Sequence, residues 1–497
     1  MARVVVVGAG MGGLAVAARL ARLRHDVTLL EQAPIVGGKL GTYTRDGFTF
    51  DTGPSLLTLP AVYRDLFRKT GRPLEDVLEL TPVDPVARYR FPDGTWVDVP
   101  NASRRAVAAT FGEAFGGSAG EDWSRFLDRA GRIWQATRGP FLESPLDGPR
   151  DLLRQSRRIG DLRTIAPWAT LRGLGRQYLR DPRLRMFLDR YATYTGSDPR
   201  QAPAALAVVP YVEQTFGAWY VPGGLRRLGD ALLTRCQDRG VRVCTGAEVI
   251  EVTLSGRRVD GVALDDGSRI DADVVVSDAD ATHLYRDLVT SPLASAARGR
   301  LRRATPSLSG FVLLLALNGR TPGLRHHTVL FPEDYDAEFN AIFGRAASPV
   351  DEPTVYVAAP DDSTLRPDDA CEAWFVLVNA PRHGSGPGCV DWNAAGLRDS
   401  YADRILAVMA RRGLDVRDRV RWREIRTPAD LERLTRSPGG AIYGTSSNGA
   451  RAAFLRPANR SPVSGLFLVG GSAHPGGGLP LVGLSAAIVA DLIGRAR

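Results

Sequence analysis

The chain has 497 residues, 44% of them hydrophobic and 24% charged, which excludes a fibrous or disordered protein and implies two or more domains. Its formal charge of +9 is an arginine charge, since Lys39 and Lys69 are the only lysines. The aromatic residues do not cluster with that charge as base stacking requires, so no nucleic-acid partner is expected.

The first 31 residues carry the clearest pattern. Arg3-Val4-Val5-Val6-Val7 predicts a strand buried on both faces. The turn Gly8-Ala9-Gly10-Met11-Gly12-Gly13 follows. Leu14, Ala17, Ala18 and Ala21 then recur at helical spacing, with Arg19 expected to point to solvent. A second strand, Asp26–Leu30, ends at Glu31. Strand, glycine turn, helix, strand and terminal acid together form a dinucleotide-binding fingerprint. Gly8 permits the sharp turn, Gly10 lets backbone approach a pyrophosphate, and Gly13 lets the helix pack on the strand. The helix N-terminus offers N–H groups to phosphate. Glu31 can accept hydrogen bonds from a ribose and would repel a 2′-phosphate, so NAD or FAD is favoured over NADP.

Gly37-Gly38-Lys39 suits a loop folded over phosphates. Phe48 and Phe50 alternate with polar neighbours, as in a short strand ahead of Asp51-Thr52-Gly53-Pro54. Rossmann turn, acid, double glycine with a cation, then D-x-G-P: this series resembles the phytoene desaturase and amine oxidase superfamily, and the resemblance moves the cofactor from NAD to FAD. A helix is expected over Ala61–Lys69 and a hairpin over Arg88–Trp96. Helices are also expected over Asp151–Arg158, Pro167–Arg180 and Pro182–Arg190, the last capped by Asp181. In the second of these, Trp168, Leu171, Leu174, Tyr178 and Leu179 share one side, beside a row of Arg172, Arg176 and Arg180. That pattern describes a helix lying in a bilayer interface or an amphipathic helix packed on its own core.

A helix over Leu225–Cys236 precedes strands at Val241–Val243, Glu248–Thr253, Gly261–Leu264 and Asp273–Ser277, read as a meander with a buried strand returning to the parallel sheet. Strands at Phe311–Leu317 and Trp374–Asn379 and a helix over Trp392–Arg412 suit a second, substrate-holding unit. His326 and His327 are expected on opposite faces of a strand, not as a metal pair. Cys236, Cys244, Cys371 and Cys389 show no metal-ligand spacing and suit a reducing compartment. With the first strand at Arg3, no secretory leader is expected. The uncharged stretch Ser461–Ala490 is broken by Pro475, Gly476–Gly478 and Pro480, so no membrane span is expected either.

Gly440–Gly444, Phe454–Pro457 and Gly465–Pro480 are similar to the C-terminus of bacterial-type carotenoid desaturases, and the resemblance extends along the whole chain. It implies an α/β architecture: a two-part Rossmann-type FAD-binding domain (1–95, 222–300 and 440–497), a helical membrane-facing lid (96–221) and an inserted α+β substrate domain (301–439). It implies FAD contacts from Gly8, Gly10, Met11, Gly12, Gly13, Glu31, Gly37, Gly38, Lys39, Val249, Gly470, Gly471, Leu479 and Pro480. Strand Leu466–Val469 would deliver the chain to the flavin, and helix Leu481–Ile493 would aim its N-terminus there.

The implied activity is removal of two hydrogens from a carotenoid or other isoprenoid polyene, with hydride passing to the flavin and oxygen or a quinone as acceptor. The implied location is cytoplasmic, peripheral on the inner face of the cell membrane. Related oxygenases of polyene ends, a redox-neutral isomerase and a prenyl-lipid carrier are alternative readings of the same resemblance. His474, in the flavin segment, is the candidate base by titration range, and equally suits a structural histidine bonded to backbone.

Overall fold

The computed structural model describes residues 1–146, 159–449, 452 and 456–496. The expected helix Asp151–Arg158 and the pair Phe454-Leu455 lie outside them. In chain order, the elements that position the site are β1 (Arg3–Val7), α1 (Met11–Arg22), β2 (Asp26–Glu31), α2 (Ala61–Thr70), β3 (Ala87–Arg90) and β4 (Trp96–Val99). After them come α3 (Ala119–Thr137), α4 (Leu171–Tyr178), α5 (Pro182–Thr193), α6 (Arg226–Asp238), β5 (Arg242–Thr245) and β6 (Val274–Ser277). β7 (Leu466–Leu468) and α7 (Leu479–Ile493) close the chain.

β1 is the middle of a five-stranded parallel sheet in the order β5-β2-β1-β6-β7. Its valines serve two layers. Val4 and Val6 pack with α1, α2, α6 and α7, while Val5 and Val7 pack with Val249, Val252 and Val275 on the other face. A strand with no solvent face has no use for alternation, which is why the run is unbroken. α1 is itself flanked by α2, α6 and α7. Its polar edge is therefore covered, and Arg19, expected in solvent, is buried and bonded to Asp65 at 3.1 Å.

The antiparallel meander is Val249–Ser255, Arg258–Leu264 and Arg269–Asp271. β5, read as its first strand, instead extends the parallel sheet, with Cys244 opposite Leu30. A seven-stranded sheet runs Val420–Arg426, Ser309–Asn318, Cys371–Ala380, Val355–Ala358, His327–Leu330, β3, β4. A boundary at residue 95 would cut the β3–β4 hairpin. The structure joins β3 to this second sheet, with Tyr89 beside Val329, because Tyr89 buries its ring against Phe187 and Phe331 at 4.9 and 6.0 Å.

α5 starts as its sequence indicates, with the Asp181 carboxylate accepting from Arg183 N at 2.7 Å. α4 differs from expectation. It starts at Leu171, capped by Thr170, so Trp168 lies outside the helix and is 69% exposed. Leu171, Leu174 and Leu179 are buried in a core shared with α3 and α5. Gly175 allows that approach, since a Cβ there would meet Leu188 Cδ2 at 2.8 Å. Arg172 bonds Asp189 at 2.8 Å and pairs with Asp336 at 2.6 Å, leaving only Arg176 and Arg180 of the arginine row exposed. The apolar side of this helix is thus occupied by the protein's own core. No helix among the described residues is long and apolar enough to cross a membrane.

Leu174→Ala should therefore cost about 2–5 kcal/mol of stability, as truncation of a buried leucine does. Trp168→Ala should change it by less than about 0.5 kcal/mol. Chemical denaturation of the two variants checks both.

Candidate functional site

The glycine turn joins β1 to α1 with Gly8 at φ +94°, its N–H donating to Leu30 O at 2.8 Å. A Cβ on Gly13 would stand 1.9 Å from Gly8 O, so only glycine lets α1 begin so close to β1. Gly37 N donates to Ala9 O at 2.7 Å, and Gly38 lies against Gly10 Cα, so the double-glycine loop covers the turn. Met11 starts α1 and buries its side chain towards α6. Glu31, buried at the end of β2, accepts from Ala9 N at 2.7 Å and Ala33 N at 2.9 Å. Each of its oxygens keeps a lone pair for a ribose hydroxyl.

The C-terminal segment reaches the same place. A Cβ on Gly12 would stand 2.9 Å from Gly470 Cα. β7 therefore delivers Gly470 and Gly471 directly onto the start of α1. Gly477 is equally bare, since a Cβ there would enter the ring of Tyr443 at 2.4 Å. Leu479 and Pro480 form the first turn of α7, and Tyr63 of α2 donates to Leu479 O at 3.0 Å. Two cations fasten this segment. Lys39 Nζ donates to Ala441 O and Ile442 O at 3.1 and 2.7 Å. Arg456 donates to the carbonyls of Tyr443, Thr445 and Gly471. Val249 has its side chain in the core with Val5, Val7 and Leu30, and nearby Ala247 N donates to Glu31 O at 2.8 Å.

Sequence reasoning missed Asp278. It sits just past β6, at the carboxyl edge of the parallel sheet where ligands bind in such folds. Its carboxyl lies against the glycine turn: a Cβ on Gly10 would meet its Oδ2 at 2.5 Å and one on Gly12 its Oδ1 at 2.4 Å, and the nearby Gly10 and Gly13 amides favour its charged form. Half-buried at the edge of the sheet and close to Glu31, it is pushed up to about 8, chiefly by lost hydration. A carboxyl on the N-terminal amides of α1 occupies the place that suits a phosphate. Its signal was positional: an acid ending the strand that neighbours β1.

His474 is buried, with Nε2 2.9 Å from Ser144 O and its own carbonyl accepting from Asn459 and Ser485. Nε2 must therefore carry the proton and donate, which leaves Nδ1 as the free lone pair. Burial lowers the ring's pKa to about 4. His326 and His327 are not on opposite faces. Their rings are 4.5 Å apart, because His326 precedes the strand that His327 begins and strand alternation does not apply to it. No cluster of three metal-ligating side chains occurs among the described residues.

The cradle thus offers two helix N-termini, a carboxylate at the end of β2 and a backbone surface stripped of Cβ atoms. A diphosphate suits one end and a flat ring the other. The family profile of flavin containing amine oxidoreductases matches residues 11–365. The chain belongs to that family.

As a member of this flavin-containing amine oxidoreductase family it is an FAD-dependent oxidoreductase. It is 33% identical to a 4,4'-diapolycopene oxygenase of Methylomonas sp. over 99% of this chain and 98% of that protein. It is 34% identical to a hydroxyneurosporene desaturase of Cereibacter sphaeroides over 100% of this chain and 99% of that protein. In fold it matches a redesigned putrescine oxidase with a TM-score of 0.65 at 15% identity, covering 100% of this chain and 99% of that one.

A diphosphate seated on the amides of α1 would compete with the Asp278 carboxyl for them, so binding should favour the protonated acid. A carboxyl raised to about 8 is protonated at neutral pH and ionises above it. Affinity of the apoprotein for FAD should fall about tenfold between roughly pH 7 and 9. Asp278→Asn should remove that dependence. Calorimetric titration across the pH range measures it.

Proposed function

We propose that this enzyme dehydrogenates a long apolar isoprenoid polyene, removing two hydrogens from a saturated step of the chain. The observation that carries the reading is the approach of Gly12 to Gly470, which makes one bare cradle from both ends of the chain, beside Tyr443 and the seven-stranded sheet. The relatives named above support the substrate class. FAD, when bound, supplies the two-electron acceptor. The chain's own residues bind, orient and exclude water.

Residues 1–95 without β3, 222–300 and 440–497 build the cradle in this reading, and 96–221 with 301–439 hold the substrate. Gly470, Gly471 and Gly476–Gly478 would hold the flavin ring in this reading, and the N-terminus of α7 would favour negative charge there. Two surface clefts of about 620 and 500 Å³, beside Gly120 and Trp422, lie away from the cradle and take no part. A substrate of this kind is drawn from a bilayer, so the enzyme works as a peripheral protein on the inner face of the cell membrane, with oxygen or a quinone as final acceptor. With the apolar side of α4 buried, membrane contact falls to Trp168 with Arg176 and Arg180. Oxygenation of the polyene end is a second reading, favoured by the 33% identical relative.

Expression in cells that accumulate different polyenes, under labelled oxygen, separates these readings. The expected pigment is two hydrogens lighter and unlabelled. Incorporated label would establish oxygenation, and unchanged polyenes beside FAD-loaded protein would refute both.

His474 anchors the glycine loop in this reading. Already neutral above about pH 4, it should add no inflection to kcat between about pH 5 and 8. His474→Gln, able to keep the bond to Ser144 O, should retain activity within about tenfold, whereas loss of a general base costs roughly a hundredfold to ten-thousandfold.

A further inference from the structure

Arg190, in the last turn of α5, is buried in a way the mechanism above does not use. Among the described residues no carboxylate lies within ion-pairing distance of it. Its bonds run from Nη1 to Tyr194 Oη at 2.5 Å and Tyr89 Oη at 3.4 Å. Its guanidinium rests over the rings of Tyr89, Tyr194 and Tyr356 at 5.6, 4.9 and 5.5 Å. The buried carboxyl of Glu213, the obvious counter-charge, is bonded instead to Tyr191 Oη at 2.6 Å. Aromatic faces offset part of the cost of burying a cation, and among the described residues only Nη1 of the guanidinium has a hydrogen-bond acceptor.

The position of the cluster gives that surplus a direction. Just past α5, a Cβ on Gly196 would stand 2.9 Å from the ring of Tyr443, the same ring that covers Gly477. From the other side, Tyr356 Oη bonds Ser55 Oγ at 2.5 Å, at the end of the D-x-G-P loop whose Gly53 packs on Lys39 O. The segment carrying Arg190 therefore reaches the edge of the cradle by two routes, through Gly196 to Tyr443 and through Tyr356 to Ser55. Tyr194 and Tyr356 are half-buried, not sealed. A pure hydrocarbon gains nothing from such a group.

We propose that Arg190, with Tyr194 and Tyr356, is a specificity site that receives an acceptor oxygen, hydroxyl or carbonyl, at the end of the polyene. It rests on the polyene reading above and narrows it to end-oxygenated chains, with the oxygen-bearing end, not the middle, next to the glycine loop. Arginine suits this task because its donors are fixed in direction and its charge is permanent. The phenol hydroxyls can turn to donate or accept as the end group requires.

The test compares two polyenes of equal length, one with a terminal hydroxyl and one without, on the FAD-loaded enzyme. Wild type should prefer the hydroxylated chain by at least about tenfold in kcat/KM, carried by KM, since a buried site built for a hydroxyl discriminates strongly against its absence. Arg190→Met should bring the ratio within about twofold, and Tyr194→Phe should lower it in part. Should Arg190→Met fail to hold flavin, Arg190→Lys and Tyr194→Phe carry the comparison. A group that merely props α5 against β3 would change stability and leave the ratio alone. A wild-type ratio near one, or a ratio that survives in the folded variants, overturns the proposal. No turnover of either polyene overturns the polyene reading itself, and this site with it.

Discussion

Gly12 and Gly470, from opposite ends of the chain, approach more closely than any side chain at either position would allow, with the Asp278 carboxyl pressed into the same gap. This one steric constraint organises the molecule. It requires β7 to sit beside β6 so that the chain leaves the sheet at the right height, and it requires α1 to start without a Cβ at Gly12 and Gly13 in its buried first turn. The bonds from Lys39, Arg456 and Tyr63 to main-chain carbonyls around the cradle then hold the two ends in register. The chain between them is free to leave and build other structure.

What it builds is a second sheet roofed by helices, and the division of labour follows from burial. The parallel sheet is covered on both faces and presents only its carboxyl edge, so anything it binds must sit on that edge. The seven-stranded sheet packs Phe311, Leu313 and Leu315 against helix Leu397–Arg411, and it turns Val312, Leu314 and Ala316 to Phe48 and Phe50. In the proposed reading the parallel sheet holds the cofactor and the second sheet holds the substrate, with Tyr443 between them.

The fingerprint at Gly8–Gly13, the acid at Glu31 and the cap at Asp181 were legible because their physics is local: a positive φ, a strand end, a side chain reaching its own helix. The arginine of α1 was misplaced because a helix wheel cannot show that α2 covers the polar edge. The same kind of contact puts the hairpin at Ala87–Val99 on the seven-stranded sheet and decides, between the two readings the pattern of α4 left open, for packing of its leucines on α3 and α5. Pairing of strands and helices distant in sequence decided each case. Asp278 and Arg190 were invisible for a related reason, as single charged residues whose meaning comes wholly from what folds against them.

The most direct measurement is an electron-density map of the FAD-loaded enzyme. The account predicts one flavin per chain, its diphosphate on the amides of Gly10–Gly13 and its ring against Gly470, Gly471 and Gly476–Gly478. A ring lying elsewhere, or a diphosphate bound apart from α1, would contradict it.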